Sequence, residues 1–156
     1  GRRGPAGARV GGRPAGRGSE GARRGTHRHH RREEELEEKL TFNCGWGREG
    51  PEGAARPGVA ADMGATAGQE AIVLCTCEAV RLGTRGGTEG VEAMGLPQLC
   101  DPLNQFVANR GKVWLCGACT KPRGITEEQL VDGVTIVGAA KVVEEAVAGV
   151  KPAAVA

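Results

Sequence analysis

Short apolar runs of strand length, separated by segments of helix length, constrain this chain more than any other feature it carries. Residues 71–75 read Ala-Ile-Val-Leu-Cys, residues 112–116 Lys-Val-Trp-Leu-Cys and residues 134–137 Val-Thr-Ile-Val. An unbroken apolar run is the pattern of a strand with helices on both faces. Residues 40–44, Leu-Thr-Phe-Asn-Cys, alternate and fit a first strand, and residues 151–156 fit a short closing one. Between them the spacing predicts a weak helix over 58–67, with Val59, Ala60, Met63 and Ala67 on one face. It also predicts an amphipathic helix carrying Leu99, Leu103, Phe106 and Val107, a helix starting at Thr126 and another over 139–148. Parallel neighbours need crossover connections, and helices supply them. The expected fold is α/β, a three-layer α/β/α sandwich on a mostly parallel sheet of about five strands.

Charge divides the chain. Residues 1–32 hold ten Arg and one acid, Glu20, a net +9, whereas everything from Glu33 onward holds 11 basic and 18 acidic residues, a net −7. The overall +2 therefore describes neither part. With Val10 as its only large aliphatic residue, the first part cannot bury enough apolar surface to offset the entropy of ordering. The division expected is an Arg/Gly-rich disordered tail over 1–35 and a domain over 36–156. One reading of the tail is GC-rich upstream sequence translated from a misplaced start, since the chain begins without Met. No secretory signal is legible, and no run approaches the ~20 apolar residues that span a bilayer. A soluble, cytoplasmic protein is expected.

Six cysteines, at 44, 75, 77, 100, 116 and 119, would meet a reducing compartment there, which turns attention from disulfides to metal binding or thiol chemistry. Cys75 and Cys77 fall two apart on an expected strand, side chains on one face, as packing residues. Residues 115–127, Leu-Cys-Gly-Ala-Cys-Thr-Lys-Pro-Arg-Gly-Ile-Thr-Glu, hold more chemistry than any other segment. Cys116 ends a strand beside Gly117, in a segment read as a tight loop running to Gly124. Lys121 and Arg123 follow, and nearby cations favour a thiolate. Cys119 lies close enough to attack a sulfur on Cys116 or to close a disulfide with it. Thr126 and Gln129 have capping-box spacing, with Glu127 and Glu128 complementing a helix dipole.

This segment resembles the DsrE/DsrF-like family, in which a strand ending in Cys leads through a small, basic, Gly-containing loop into a Thr-Glu-Glu start. The resemblance continues through residues 133–140, Gly-Val-Thr-Ile-Val-Gly-Ala-Ala, and upstream through Leu96-Pro97 and residues 104–108. It spans roughly residues 36–156. It implies a small sulfur-relay subunit that accepts sulfane sulfur as a persulfide, on Cys116 by motif position, with Cys119 belonging to a Cys-x-x-Cys variant. It implies sulfur donor and acceptor proteins as partners, trimers or hexamers as assemblies, and no cofactor or metal. Lys121, Arg123 and Gly117 are the expected stabilisers of the sulfur anion. Departures from the family pattern include Gly58, Gly64, the residues 85–88 and Cys77, Cys100 and Pro102.

Other readings stand beside this one. A structural zinc normally needs four ligands, and Cys116 with Cys119 supplies two. A dithiol/disulfide protein is the alternative, although a thioredoxin-type thiol sits at a helix N-terminus and here about ten residues separate Cys116 from the expected cap at Thr126. The arginines of the tail could hold nucleic-acid phosphates, yet no aromatic residues interleave to stack bases, so such binding would be weak, nonspecific and salt-sensitive. His27, His29 and His30 read as solvated tail. The glycines over 83–90 lack a Gly-Lys-Ser/Thr ending, which leaves a flexible loop. Glu78 and Glu89 are acids near strand ends with no partner marked.

Overall fold

The computed structural model describes residues 38–154. The expected tail, with its arginines and histidines, lies outside the described residues. Five strands form one sheet: β1 (Lys39–Cys44), β2 (Glu70–Cys75), β3 (Lys112–Cys116), β4 (Val134–Val137) and β5 (Lys151–Ala153). Their order is β4-β3-β2-β1-β5, and every pairing is parallel. The chain thus steps outward from β1 to β4 and then returns across three strands to place β5 beside β1.

Helix α1 (Pro51–Thr66) and helix α2 (Cys100–Ala108) cover one face. There Phe42, Val73, Val113 and Leu115 from the strands meet Ala54, Ala55, Ala61, Leu103 and Phe106. Helix α4 (Ala139–Val147) lies on the other face, where Ile72, Trp114 and Val137 form a smaller cluster with partly buried Leu74 and Val142. The period-2 alternation of β2 and β3 sends neighbouring side chains to these two clusters.

Several expected boundaries move. Residues 45–57 were expected as loop because of their Gly and Pro content, but α1 begins at Pro51. Proline suits the first helical position, where its missing N–H costs nothing. Pro57 lies inside the helix and deprives the Gly53 carbonyl of its usual donor; the thiol of Cys44 reaches that oxygen at 3.9 Å and that of Ala54 at 3.8 Å. Starting earlier also turns the buried face, which is Ala54, Ala55, Pro57, Gly58 and Ala61, while Met63 is exposed. Small residues there let the helix axis approach the sheet.

The helix expected from Thr126 is a single 3-10 turn, Glu127–Gln129. The capping box forms as its spacing predicts, with the Thr126 N–H donating to Gln129 Oε1 at 3.0 Å. The helix does not continue because Leu130 is buried in extended backbone and bridges Thr84. Tertiary burial of one side chain outweighs the local helix signal.

Candidate functional site

Three parallel strands end in cysteine: Cys44 on β1, Cys75 on β2 and Cys116 on β3. Cys44 and Cys75 are register partners and both are buried. Their thiols share a hydrogen bond, which lowers the pKa of Cys44; the same contact, with burial, pushes that of Cys75 well up. They are packing residues of the main core. Cys116 is half-buried at the open end of the sheet.

The segment after Cys116 differs from the expected loop. A one-turn helix, α3 (Gly117–Thr120), starts at once, with Cys116 as its N-cap residue, and a 3-10 turn, Lys121–Arg123, follows. The premise that ten residues separate Cys116 from a helix start is therefore corrected. The turn closes through Thr120, whose hydroxyl donates to the Gly117 carbonyl at 3.1 Å. Gly117 fits against β4: a Cβ there would stand 3.3 Å from the Val137 carbonyl oxygen. Gly124 ends the 3-10 turn at φ 65°, a left-handed position that glycine takes without strain.

Cys77 is also corrected. It does not continue β2 but begins a 3-10 segment, Cys77–Gly83, with its side chain exposed. Its φ is +50°, unusual for a residue with a side chain and costing about 1–3 kcal/mol. In this conformation its backbone N–H donates to Cys119 Sγ at 3.2 Å. The sequence reading grouped Cys77 with Cys75; the structure groups it with Cys119.

Glu78 has a partner after all. Its Oε1 accepts from Arg123 Nη2 at 2.7 Å and Nε at 2.9 Å, and its Oε2 accepts from Arg81 Nε at 3.0 Å. These two guanidinium groups hold its carboxyl below the usual range. Arg123 Nη1 donates in addition to the Cys119 carbonyl at 2.9 Å. Its pKa is raised, first by Glu78 and further by the negative potential of Cys119 and Cys77. The structure thus ties Arg123 to the Cys119 carbonyl and to Glu78, the residue after Cys77, and gives it no hydrogen bond to Cys116. Lys121 is exposed on its own turn.

Arg123 forms one wall of an open cleft of about 560 Å³, which Arg48, Arg81 and Arg85 also line. Arg48 donates to the Gly86 carbonyl at 2.9 Å and Arg85 to that of Glu128 at 2.6 Å. Neither makes an ion pair among the described residues, and Glu128 is the one acid in the cleft's lining, which leaves that lining net positive. Sequence reading missed it because its arginines come from three segments far apart in the chain. A larger groove of about 990 Å³ opens beside β1 and β5, the topological switch point where open α/β sheets commonly bind ligands. Its exposed side chains include Trp46, but the cysteine beneath, Cys44, is buried. Exposed Cys77 and half-buried Cys116 and Cys119 lie instead at or just past the ends of β2 and β3. Among the described residues, no group of three or more His, Cys, Asp or Glu could hold a metal ion.

A strand-end cysteine, an immediate Gly-containing turn and a parallel α/β sheet now stand together, and residues 39–149 match the model of the DsrE/DsrF-like family. The chain belongs to that family. The family is associated with sulfur relay in general. Among solved structures, the ychN protein from E. coli is similar with a TM-score of 0.61 at 20% identity, covering 74% of this chain and 97% of that one. Protein of unknown function MTH1491 from Methanobacterium thermoautotrophicum is similar with a TM-score of 0.57 at 13% identity, covering 75% of this chain and 98% of that one. At those identities the likeness shows the fold. No curated protein matches the chain significantly.

Proposed function

We propose that this DsrE/DsrF-like protein carries sulfane sulfur as a persulfide on Cys116 and passes it to an acceptor thiol. The observation that carries the reading is the half-buried Cys116 at the carboxyl end of an interior parallel strand, with a turn rather than a bulky side chain next to it. In the first step the Cys116 thiolate attacks the outer sulfur of a donor persulfide or polysulfide. The bond from that sulfur to the donor breaks, and the donor leaves as a thiolate or shortened polysulfide. In the second, an acceptor thiolate attacks the same sulfur and Cys116 is released as thiolate. Sulfur exchange of this kind needs no metal and no nucleotide. Lys121, Arg123 and Gly117 are the residues read as supporting the sulfur anion, the two cations by charge at a distance, since neither hydrogen-bonds to Cys116.

The arginine-lined cleft favours a donor that is anionic at neutral pH, as persulfides and polysulfides are. Six free thiols suit work in a reducing cytoplasm, with sulfur donor and acceptor proteins as partners. Family resemblance and exposed valines on α4 support a homo-oligomer, a trimer or hexamer.

Intact mass after incubation with inorganic polysulfide tests the site. With the adduct located by peptide mapping, Cys116 should carry one extra sulfur, about 32 Da, in the wild type and in Cys119→Ser, and Cys116→Ser should carry no such adduct. An adduct that survives Cys116→Ser rejects the assignment.

A further inference from the structure

We infer that Cys77 and Cys119 form a dithiol pair that reduces a sulfur–sulfur bond brought to Cys119, with Cys77 as the resolving thiol. The two residues are 42 apart in sequence, yet the Cys77 backbone nitrogen stands 3.2 Å from Cys119 Sγ. One N–Cα bond of about 1.46 Å further on, the Cys77 Cα lies at most about 4.7 Å from that sulfur. Half-cystine Cα atoms stand about 4.4–6.8 Å apart in disulfides, so a Cα this near the partner's sulfur puts a bond between the two residues within the scale of a side-chain rearrangement. Cys77 is exposed, so its side chain can change rotamer toward that sulfur.

The surroundings suit the chemistry. Cys77 holds a strained left-handed conformation at the point where its N–H meets the sulfur. A hydrogen bond to sulfur is strongest when the sulfur is anionic, as it is while attacking and again while leaving. Arg123 is clamped by Glu78 and by the Cys119 carbonyl, so the turn that carries Cys119 is fixed to the residue after Cys77. Cys119 is half-buried and Cys77 exposed, an arrangement in which a guarded nucleophile is followed by a resolving thiol open to solvent.

The substrate class is a low-molecular-weight disulfide. The Cys119 thiolate attacks one of its sulfurs; a mixed disulfide forms, the substrate's S–S bond breaks, and one thiolate leaves and takes a proton from water. Cys77, its proton lost to water, then attacks the Cys119 sulfur. The Cys77–Cys119 disulfide forms, the mixed disulfide breaks, and the second thiolate leaves. The two protein thiols are oxidised by two electrons, and the substrate is reduced to two thiols.

The inference rests on the thiol-chemistry reading of this end of the sheet but not on persulfide loading, and the test separates them. The reduced full chain is treated with oxidised glutathione and its disulfides mapped by peptide mass spectrometry. Wild type and Cys116→Ser should both become two hydrogens lighter, with Cys77 linked to Cys119. In the Cys116→Ser background, adding Cys77→Ser should leave one glutathionyl group on Cys119. A Cys116–Cys119 link in the wild type, a glutathionyl group that persists on Cys119 while Cys77 is present, or no reaction at Cys119 would each overturn the pairing. If instead the Cys77–Cys119 link forms while polysulfide adducts survive Cys116→Ser, the relay assignment fails and the dithiol stands.

Discussion

At the scale of single residues, the site depends on what holds Arg123. Its guanidinium is shared between the Glu78 carboxylate and the Cys119 carbonyl, and Glu78 is in turn held by Arg81. Because the carboxyl of Glu78 has its pKa lowered in the folded protein, the contact stabilises the fold above the ordinary carboxylate pKa of about 4.3 and is lost as pH falls through the depressed value. Glu78→Gln should therefore lower the urea midpoint at pH 7 and narrow the difference between pH 7 and pH 3; equal pH dependence in the variant and the wild type would show that the contact contributes nothing. The sequence named Arg123 for this site but paired it in thought with Cys116. Nothing in the order of residues says that Glu78, 45 positions earlier, captures it, or that a positive φ turns Cys77 off its strand.

At the scale of elements, the 3-10 segment after β2 is wedged against the ends of β3 and β4. Gly83 is buried there, and a Cβ on it would stand 2.8 Å from Leu115 Cδ2 and 2.9 Å from Val134 Cγ1. Leu115 is fully buried and has nowhere to retreat. Overpacking of this kind costs about 1–3 kcal/mol, so Gly83→Ala should lower the unfolding free energy in urea by that amount, and an unchanged midpoint would mean the segment moves aside freely. Gly83 was legible only as part of a glycine-rich stretch taken for a flexible loop. Strands were legible, because their apolar runs are local. Helix limits were less so: α1 started seven residues before its expected position, and the Thr126 signal produced a cap without a helix.

At the scale of the whole molecule, the two faces of the sheet are unequally covered. Helices of about 10 Å diameter lie over strands about 4.8 Å apart, so one helix shields roughly two strands of a five-stranded face. Two helices and the 3-10 segment serve one side, whereas α4 alone serves the other, leaving an apolar recess of about 180 Å³ lined by Ile72, Leu74, Trp114 and Val142. Val143 and Val147 on α4 are 61% and 84% exposed. Under the proposed assembly a second copy covers this face: sedimentation should give a trimer or hexamer, and Val143→Asp with Val147→Asp should shift it toward monomer with the circular dichroism unchanged. A monomeric wild type, or an oligomer indifferent to both substitutions, would reject that interface. Among the described residues no helix is long and apolar enough to cross a membrane.

The order of residues determined the strands, the parallel α/β class and the position of Cys116 at a strand end, because hydrophobic periodicity and turn signals act over a few neighbouring residues. It also carried the family motif, whose residues are contiguous. Tertiary structure alone decided which thiol faces which, that four arginines from three chain segments meet in one cleft, and that Leu130 ends a helix its own neighbours favoured. Those outcomes depend on distances between residues some forty positions apart, and such distances are set by how the sheet is crossed and packed rather than by any local preference.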